Sequence, residues 1–294
     1  QNATNFGSLI QPKCTTEEIR QYQVNLQEQK SDSDLFNQNG YSQIENGIKQ
    51  LLPLSRKHHC IVDNPPYMGG GNMNLELKLY VTDHYSLSKF DLFAVFMDSM
   101  VDMLESSGKM GCITMESWMF LSSFESFRKN LLNNYSIRSL AHFGWHIIGI
   151  AFGTAALILE NSKVLVKGEY SYLTIDDIDK SSNSPFIFPM RDNGRFNQIS
   201  QKLFYKIPKF RLGYWASLEQ INAFENSESI KSIAFSDGKN VTGNNGQYLR
   251  FHWEVNRSDV GAESKWMLMT KGGVYRKYYG NTLNVINWSE KARK

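Results

Sequence analysis

Apolar residues at positions 92, 93, 95, 96, 97, 100, 101, 103 and 104 recur at the spacing of a helix with a wide buried face. Phe90-Asp91-Leu92-Phe93 opens that segment and Ser106-Ser107-Gly108 ends it. Before it, the short apolar run Cys60-Ile61-Val62 leads through Asp63 into Asn64-Pro65-Pro66-Tyr67. A strand meeting two prolines must stop, because proline fixes φ and has no N–H for the ladder. After the helix, Lys109 to Thr114 reads as a buried strand. Ser122-Ser123 then predicts the cap of a helix from about Phe124 to Leu132. Ile137 to Phe143 reads as a further strand, and Ala151 to Leu159 as another after a turn at Gly149. Strand, loop, helix, strand, helix, strand, strand predicts an α/β protein holding the second half of a doubly wound sheet. Downstream, 176–185 is polar, charged and closed by Pro185, as a surface linker is, which places a domain boundary near 180. A short helix is expected around Phe196 to Tyr205, followed by Ile207-Pro208 and the aromatic-rich stretch Phe210 to Trp215.

Composition narrows the class. The 294 residues allow about two domains. No apolar stretch has the length of a bilayer span and no charged-then-apolar leader opens the sequence, so no membrane partner is expected. Cys14, Cys60 and Cys112 lack metal-ligand spacing, the last two falling in predicted strands. That pattern fits reduced, buried thiols and a cytoplasmic protein. His142 and His146 span a strand end and would not share a helix face, so no metal site is expected. The net charge of +3 conceals an asymmetry: 191–294 carries 17 Lys/Arg against 9 Asp/Glu, whereas 1–190 carries 15 against 20. A basic tail on a mildly acidic first part fits a polyanion-binding appendage; an unevenly charged solvated surface is the plainer alternative.

The tetrapeptide 64–67 carries the chemistry. It is a rigid loop at a strand end, where open α/β sheets place their ligands. The Asn64 side-chain oxygen and the Pro65 carbonyl are two acceptors, a set suited to an exocyclic amino group with two protons to offer. Tyr67 adds a plane on which a flat heterocycle can stack. Here the chain resembles the amino-methyltransferases that use S-adenosylmethionine, whose fourth motif reads Asn/Asp/Ser-Pro-Pro-Tyr/Phe/Trp. The resemblance implies a Rossmann-like methyltransferase sheet that ends in an antiparallel hairpin, for which 137–143 and 151–159 are the match. It also implies a catalytic set Asn64, Pro65, Pro66 and Tyr67, with Phe152 closing on a flipped base opposite Tyr67; as a residue of a predicted strand, Phe152 equally fits core packing. Asn64 and Phe93 fall near the methyl donor in this reading, Phe93 chiefly as a core residue.

Two stretches of the tail extend the resemblance. Residues 237–246 form a glycine- and asparagine-rich loop whose backbone, with Lys239 and Thr242, can approach phosphate. It lacks the Gly-Lys-Ser/Thr ending of a nucleotide P-loop. Residues 271–281 interleave Lys271, Arg276 and Lys277 with tyrosines, a mixture suited to a nucleic-acid backbone and unstacked bases, or to a hairpin with solvated lysines. The first loop, continued through Leu249-Arg250-Phe251-His252-Trp253, resembles the start of the target-recognition region of large single-chain adenine methyltransferases. Lys271 to Asn281, together with 64–69 and Asn5 to Ile10, is similar to the PglX-type enzymes of BREX phage defence, relatives of fused restriction–modification enzymes.

The resemblance implies methylation of the N6 amino group of adenine in double-stranded DNA with the adenine flipped out. S-adenosylmethionine is the donor, other phage-defence subunits are possible partners, and Lys239, Thr242, Arg250, Lys271, Arg276 and Lys277 fall on the DNA. Residues 1–180 are then the C-terminal half of the catalytic domain, and 181–294 a linker and the start of a mixed α+β recognition region. The family's first motif, a strand with a Gly-rich turn that holds the donor, has no match here. The chain is therefore expected to be a middle fragment, inactive alone, with an exposed sheet edge. An RNA base methyltransferase, a protein-glutamine N-methyltransferase (which has little use for a basic tail) and an inactive DNA-binding fragment are the alternatives.

Overall fold

The structure, a computed structural model, describes residues 3–31, 38–147, 149–164, 166–179, 181–182, 184–185, 194–234 and 242–293. Two compact units divide the chain, Gln1–Glu228 and Ser229–Lys294.

In the first unit, α1 (Ala3–Phe6) precedes two helices, α2 (Thr16–Ser31) and α3 (Gln38–Leu54), that pack on each other. Then follow β1 (His58–Asp63), α4 (Leu75–His84), α5 (Leu92–Asp102), β2 (Leu104–Met115), α6 (Ser117–Phe120), α7 (Glu125–Asn134), β3 (Ser136–Phe143), β4 (Thr154–Glu160) and β5 (Lys167–Leu173). After the two-residue strands β6 (Ile178–Asp179) and β7 (Ser184–Pro185) come β8 (Phe196–Ser200) and α8 (Leu218–Asn226). The six-stranded sheet runs β1-β2-β4-β3-β5-β8. β1/β2 and β3/β5 are parallel, whereas β4 lies antiparallel between β2 and β3. The expected α/β sheet with its closing hairpin is therefore present, and β1 stands at one end of the strand order.

The helical stripe predicted from 92 is α5. Phe93, Ala94 and Met97 are fully buried in the core with Met110, Trp118 and Phe127. Burying side chains of this size stabilises by roughly 1.5–3 kcal/mol each. Ser106-Ser107-Gly108 does not end the helix: α5 closes at Asp102 with Met103 as its cap, and the three residues lie within β2, with Ser107 at φ 62° and Gly108 pressed on the His58 carbonyl, where a Cβ would stand 2.8 Å from the oxygen. Ser122-Ser123 forms a 3-10 turn with Phe124, and neither serine caps α7 through its side chain.

The segment expected as a helix from Phe196 to Tyr205 is instead β8, antiparallel to β5, followed by a 3-10 turn, Gln201–Lys206. The edge of β5 offers Phe196–Ser200 a complete ladder. The Gln201 side chain then fixes the exit by accepting from Ile137 N–H and donating to the Leu132 and Tyr135 carbonyls. Tertiary pairing overrides a weak local preference. For the same reason the compact unit runs to 228 and not to the boundary read near 180. Phe204, Leu212, Tyr214 and Ile221 all belong to the main core. Within the expected linker, Asp177 is buried, caps the 3-10 turn at Thr174 and pairs with Arg195.

The second unit holds α9 (Asn245–Tyr248), β9 (Leu249–Phe251), β10 (Trp266–Met269), β11 (Asn284–Asn287) and α10 (Glu290–Arg293). Its antiparallel sheet runs β10-β11-β9, with Leu249 and Val285 buried. Among the described residues no helix is long and apolar enough to cross a membrane, and no cluster of His, Cys, Asp or Glu has the makings of a metal site.

Candidate active site

β1 pairs with β2 as far as Asp63, and the prolines end the ladder there. Asn64 and Pro66 are exposed, Pro65 is buried and Tyr67 is half-buried. Two backbone bonds and one side chain pin the following turn to the start of α5. Met68 N–H donates to Asp91 Oδ1 at 2.9 Å, Leu92 N–H to the Met68 carbonyl at 3.0 Å, and Gly70 N–H to the Phe90 carbonyl at 3.0 Å. Asp91 also caps α5, accepting from Phe93 N–H at 3.4 Å. Burial raises the pKa of its carboxyl above the usual range, against the pull of those N–H donors. One side chain thus ties the helix start to the loop that leaves the tetrapeptide.

Tyr67 is braced on three sides. Its hydroxyl donates to the Ile113 carbonyl at 3.1 Å, with Asn64 Oδ1 a more distant 3.4 Å away. Its ring stands edge-on to Phe93 at 6.3 Å and to Phe152 at 5.6 Å. Burial raises its pKa, which keeps the phenol neutral. Phe152 lies in a bend before β4, outside the strand in which it was expected, and is half-buried. Phe93 is wholly enclosed, and among the described residues its ring contact with the site is with Tyr67. Asp63, one residue before Asn64, has a buried Oδ2 with no hydrogen-bond partner among the described residues, and burial raises its pKa. Asn64, Tyr67 and Phe152 are thus grouped around one strand end.

A second polar group stands behind Phe152. His142, buried at the end of β3, bonds through Nε2 to Glu116 Oε2 at 2.6 Å and through Nδ1 to the Tyr214 hydroxyl at 2.8 Å. Burial lowers the His142 pKa, while Glu116 opposes the shift. The neutral ring then accepts from Tyr214 O–H and donates to the carboxylate. Sequence reasoning missed Asp91, Glu116 and Tyr214. Asp91 was accessible as an acidic residue immediately before an apolar helical stripe. Glu116 and Tyr214 lie far from His142 in the chain, where no local pattern joins them.

Of the tail residues expected on the DNA, Thr242, Arg250, Lys271, Arg276 and Lys277 fall in the second unit and Lys239 lies outside the described residues, whereas the tail cations Arg195, Lys202, Lys206, Lys209 and Arg211 belong to the first unit. Thr242 bonds Asn245 and Asn244 caps α9, so this part of the glycine–asparagine loop is the entry to a short helix. Arg250, on β9, donates to the Gly246 and Leu249 carbonyls at 2.7 and 2.6 Å. Residues 271–281 are no strand but the exposed connection between β10 and β11. Lys271, Arg276 and Lys277 are all exposed there beside Tyr275, Tyr278 and Tyr279, each at least 80% exposed. The Lys277 ammonium stands 5.1 Å from the Tyr278 ring centre.

Residues 4–147, which include the tetrapeptide and its bracing helix, match the family described as Eco57I restriction-modification methylase. That stretch of the first unit is similar to methylases of the restriction–modification type. Over 98% of its length the chain is 31% identical to the adenine-specific methyltransferase BrxX of Escherichia coli O9:H4 (strain HS), covering 24% of that protein. It is 32% identical over 84% of its length to the adenine-specific methyltransferase PglX of Lacticaseibacillus casei (strain Zhang), covering 22% of it. The chain is a relative of these methyltransferases and spans about a quarter of their length. A solved type I restriction–modification assembly is similar over 61% of this chain and 41% of its own, at 14% identity and a TM-score of 0.41.

Proposed function

We propose that the protein transfers a methyl group from S-adenosylmethionine to the N6 amino group of adenine in double-stranded DNA, as part of phage defence. The observation that supports this reading best is the placement of Asn64-Pro65-Pro66-Tyr67 at the end of β1, with Tyr67 braced and Phe152 facing it. The adenine amino group is out of reach in a stacked duplex, so the base must be extruded. Asn64 Oδ1 and the Pro65 carbonyl accept its two protons and raise the lone-pair density on nitrogen. Tyr67 and Phe152 hold the ring from two sides. Positioning of this kind supplies most of the acceleration. S-adenosylmethionine supplies an electrophilic methyl group on its sulfonium. The residues here fit its reacting end: Asn64 beside the transferring nitrogen, and the unpartnered Asp63 carboxylate oxygen as an acceptor for donor N–H or O–H groups. Phe93, wholly enclosed, supports the site through its edge contact with Tyr67.

The test is methyl transfer by the full-length protein with donor labelled in the methyl group. The expected result is label in N6-methyladenine of duplex DNA. Label in RNA or in protein glutamine alone overturns the reading.

The second unit is assigned to DNA reading, on the strength of its exposed cations and tyrosines. Replacing Arg276 and Lys277 together by Ala should weaken binding to every sequence and flatten the dependence of log affinity on log salt. Every phosphate that the protein no longer neutralises accounts for about 0.9 of slope, so the expected change is roughly one to two units. Sequence preference should survive. An unchanged slope in binding titrations would move the DNA surface elsewhere.

A further inference from the structure

Tyr67 and Phe152 touch edge to face, 5.6 Å between ring centres. A base can enter between them only if the Phe152 ring swings away and returns. Its backbone continues into Gly153, and glycine is the least restrained joint a chain can have. Something must define where that joint comes to rest.

Glu116 is built against the joint. Its backbone N–H donates to the Gly153 carbonyl at 3.0 Å. Its carboxyl group fills the space where a side chain at 153 would begin: a Cβ there would overlap Cδ and both carboxylate oxygens. As this carboxylate is placed, it and not an unusual φ is what a side chain at 153 would meet, so a Cβ there must displace the Glu116 carboxyl group. The carboxylate is held in turn by His142, and His142 by the Tyr214 hydroxyl. The rings of Tyr172 and Phe120 stand 5.2 and 5.8 Å from the imidazole and keep it in place. A buried polar chain of this kind adds little stability over apolar packing of the same volume. What it does supply is a fixed position for one carboxylate.

We propose that Glu116, oriented by His142 and Tyr214, is a positioning residue for Phe152: it packs on Gly153 and sets the place to which the Phe152 wall returns when the pocket closes on an extruded base. The inference rests on the reading of Tyr67 and Phe152 as pocket walls.

The experiment uses the full-length protein and a duplex with 2-aminopurine at the target adenine, which brightens when the base leaves the stack. Glu116→Ala and Gly153→Ala should each lower the brightening and the single-turnover methylation rate together. The loss should be roughly tenfold, within what one base–aromatic contact carries. Overall DNA affinity and the thermal midpoint should stay close to the parent. The double variant Glu116→Ala/Gly153→Ala should recover part of the signal, because a methyl group at 153 fits once the carboxylate is gone and stiffens the joint. Alanine at 153 is thus harmful with Glu116 present and helpful without it, a reversal that only contact between the two produces. Tyr214→Phe, which keeps the ring and removes the donated O–H, should show a smaller loss in the same direction.

Parent-like brightening in Glu116→Ala, Gly153→Ala and Tyr214→Phe overturns the proposal, as does a loss that merely follows a falling thermal midpoint. Phe152→Ala separates the two readings. If it brightens like the parent, the pocket reading fails and the inference with it. If it loses brightening while the Glu116, Gly153 and Tyr214 variants keep theirs, the inference alone fails.

Discussion

Asn64→Ala is expected to abolish methyl transfer while leaving DNA binding and folding intact. The side chain is exposed, and its hydrogen bonding among the described residues is the 3.4 Å approach of the Tyr67 hydroxyl, which has the Ile113 carbonyl as its nearer acceptor. Removing it therefore leaves no buried group without a partner. The loss falls on the reaction, because Asn64 contributes one of two acceptors that act on the transferring nitrogen. Removing a single preorganised hydrogen-bonding group of this kind costs on the order of 10²–10³ in rate. The expected single-turnover rate with labelled donor is lower by at least that factor, with the DNA titration curve unmoved. Asn64→Asp keeps an acceptor at the same place and should retain more activity than the Ala variant. Equal single-turnover rates in parent and Asn64→Ala would remove Asn64 from the site.

The tetrapeptide could be read from sequence because its physics is local. Two prolines after an apolar run stop a strand whatever surrounds them, and the acceptors lie within the same few residues. The strands 109–114 and 137–143 were legible for a similar reason: each is a short segment with apolar residues (110, 112 and 113; 137, 140, 141 and 143) among a few polar ones, and each lies inside an observed strand. What could not be read was decided by partners distant in sequence. Phe196–Ser200 has no strong preference of its own and becomes a strand because β5 leaves an edge for it. β5 itself carries the residues Lys-Gly-Glu-Tyr-Ser-Tyr-Leu, which hold too few apolar positions to stand out as a strand. Tyr214 lies in a stretch that composition alone assigns to the tail, yet it stacks on Tyr170 at 5.2 Å and bonds His142. Glu116, His142 and Tyr214 meet only because β2, β3 and the chain beyond β8 end on the same side of the core. Phe152 needed the fold as well: the sequence allowed wall or core, and the bend before β4 brings its ring to Tyr67.

Arg128→Met should destabilise the first unit more than any change at the site itself. Arg128 lies on α7 with no exposed surface, and its guanidinium faces carbonyls instead of a carboxylate. Nη1 donates to the Trp118 and Leu121 carbonyls at 2.6 and 2.7 Å, while Nε and Nη2 donate to the Lys209 carbonyl at 3.2 and 2.8 Å. Burial, with Arg211 nearby, lowers its pKa to about 10, so the group stays charged at neutral pH. The arrangement joins α6 and the turn before α7 to a segment where Lys209 and Phe210 both take positive φ, 64° and 56°. Left-handed backbone at two successive non-glycine residues costs of order 1–3 kcal/mol each and persists only where other contacts hold it. Methionine fills much of the volume and satisfies none of the three carbonyls. Each buried acceptor left without a donor costs about 1–3 kcal/mol. Relaxation of the 208–210 turn offsets part of that, and the expected net loss is roughly 3–5 kcal/mol. Arg128→Lys should fall between parent and Met, since a single ammonium nitrogen cannot stand at the separate positions from which Nη1, Nη2 and Nε reach these carbonyls. Urea unfolding of the full-length protein measures the shift, and hydrogen exchange should show Leu212 and Tyr214 opening first. That local opening would also take the Tyr214 hydroxyl from His142. A loss below about 1 kcal/mol, the worth of an ordinary surface ion pair, would mean that the three carbonyls find other donors and that Arg128 does not hold this turn.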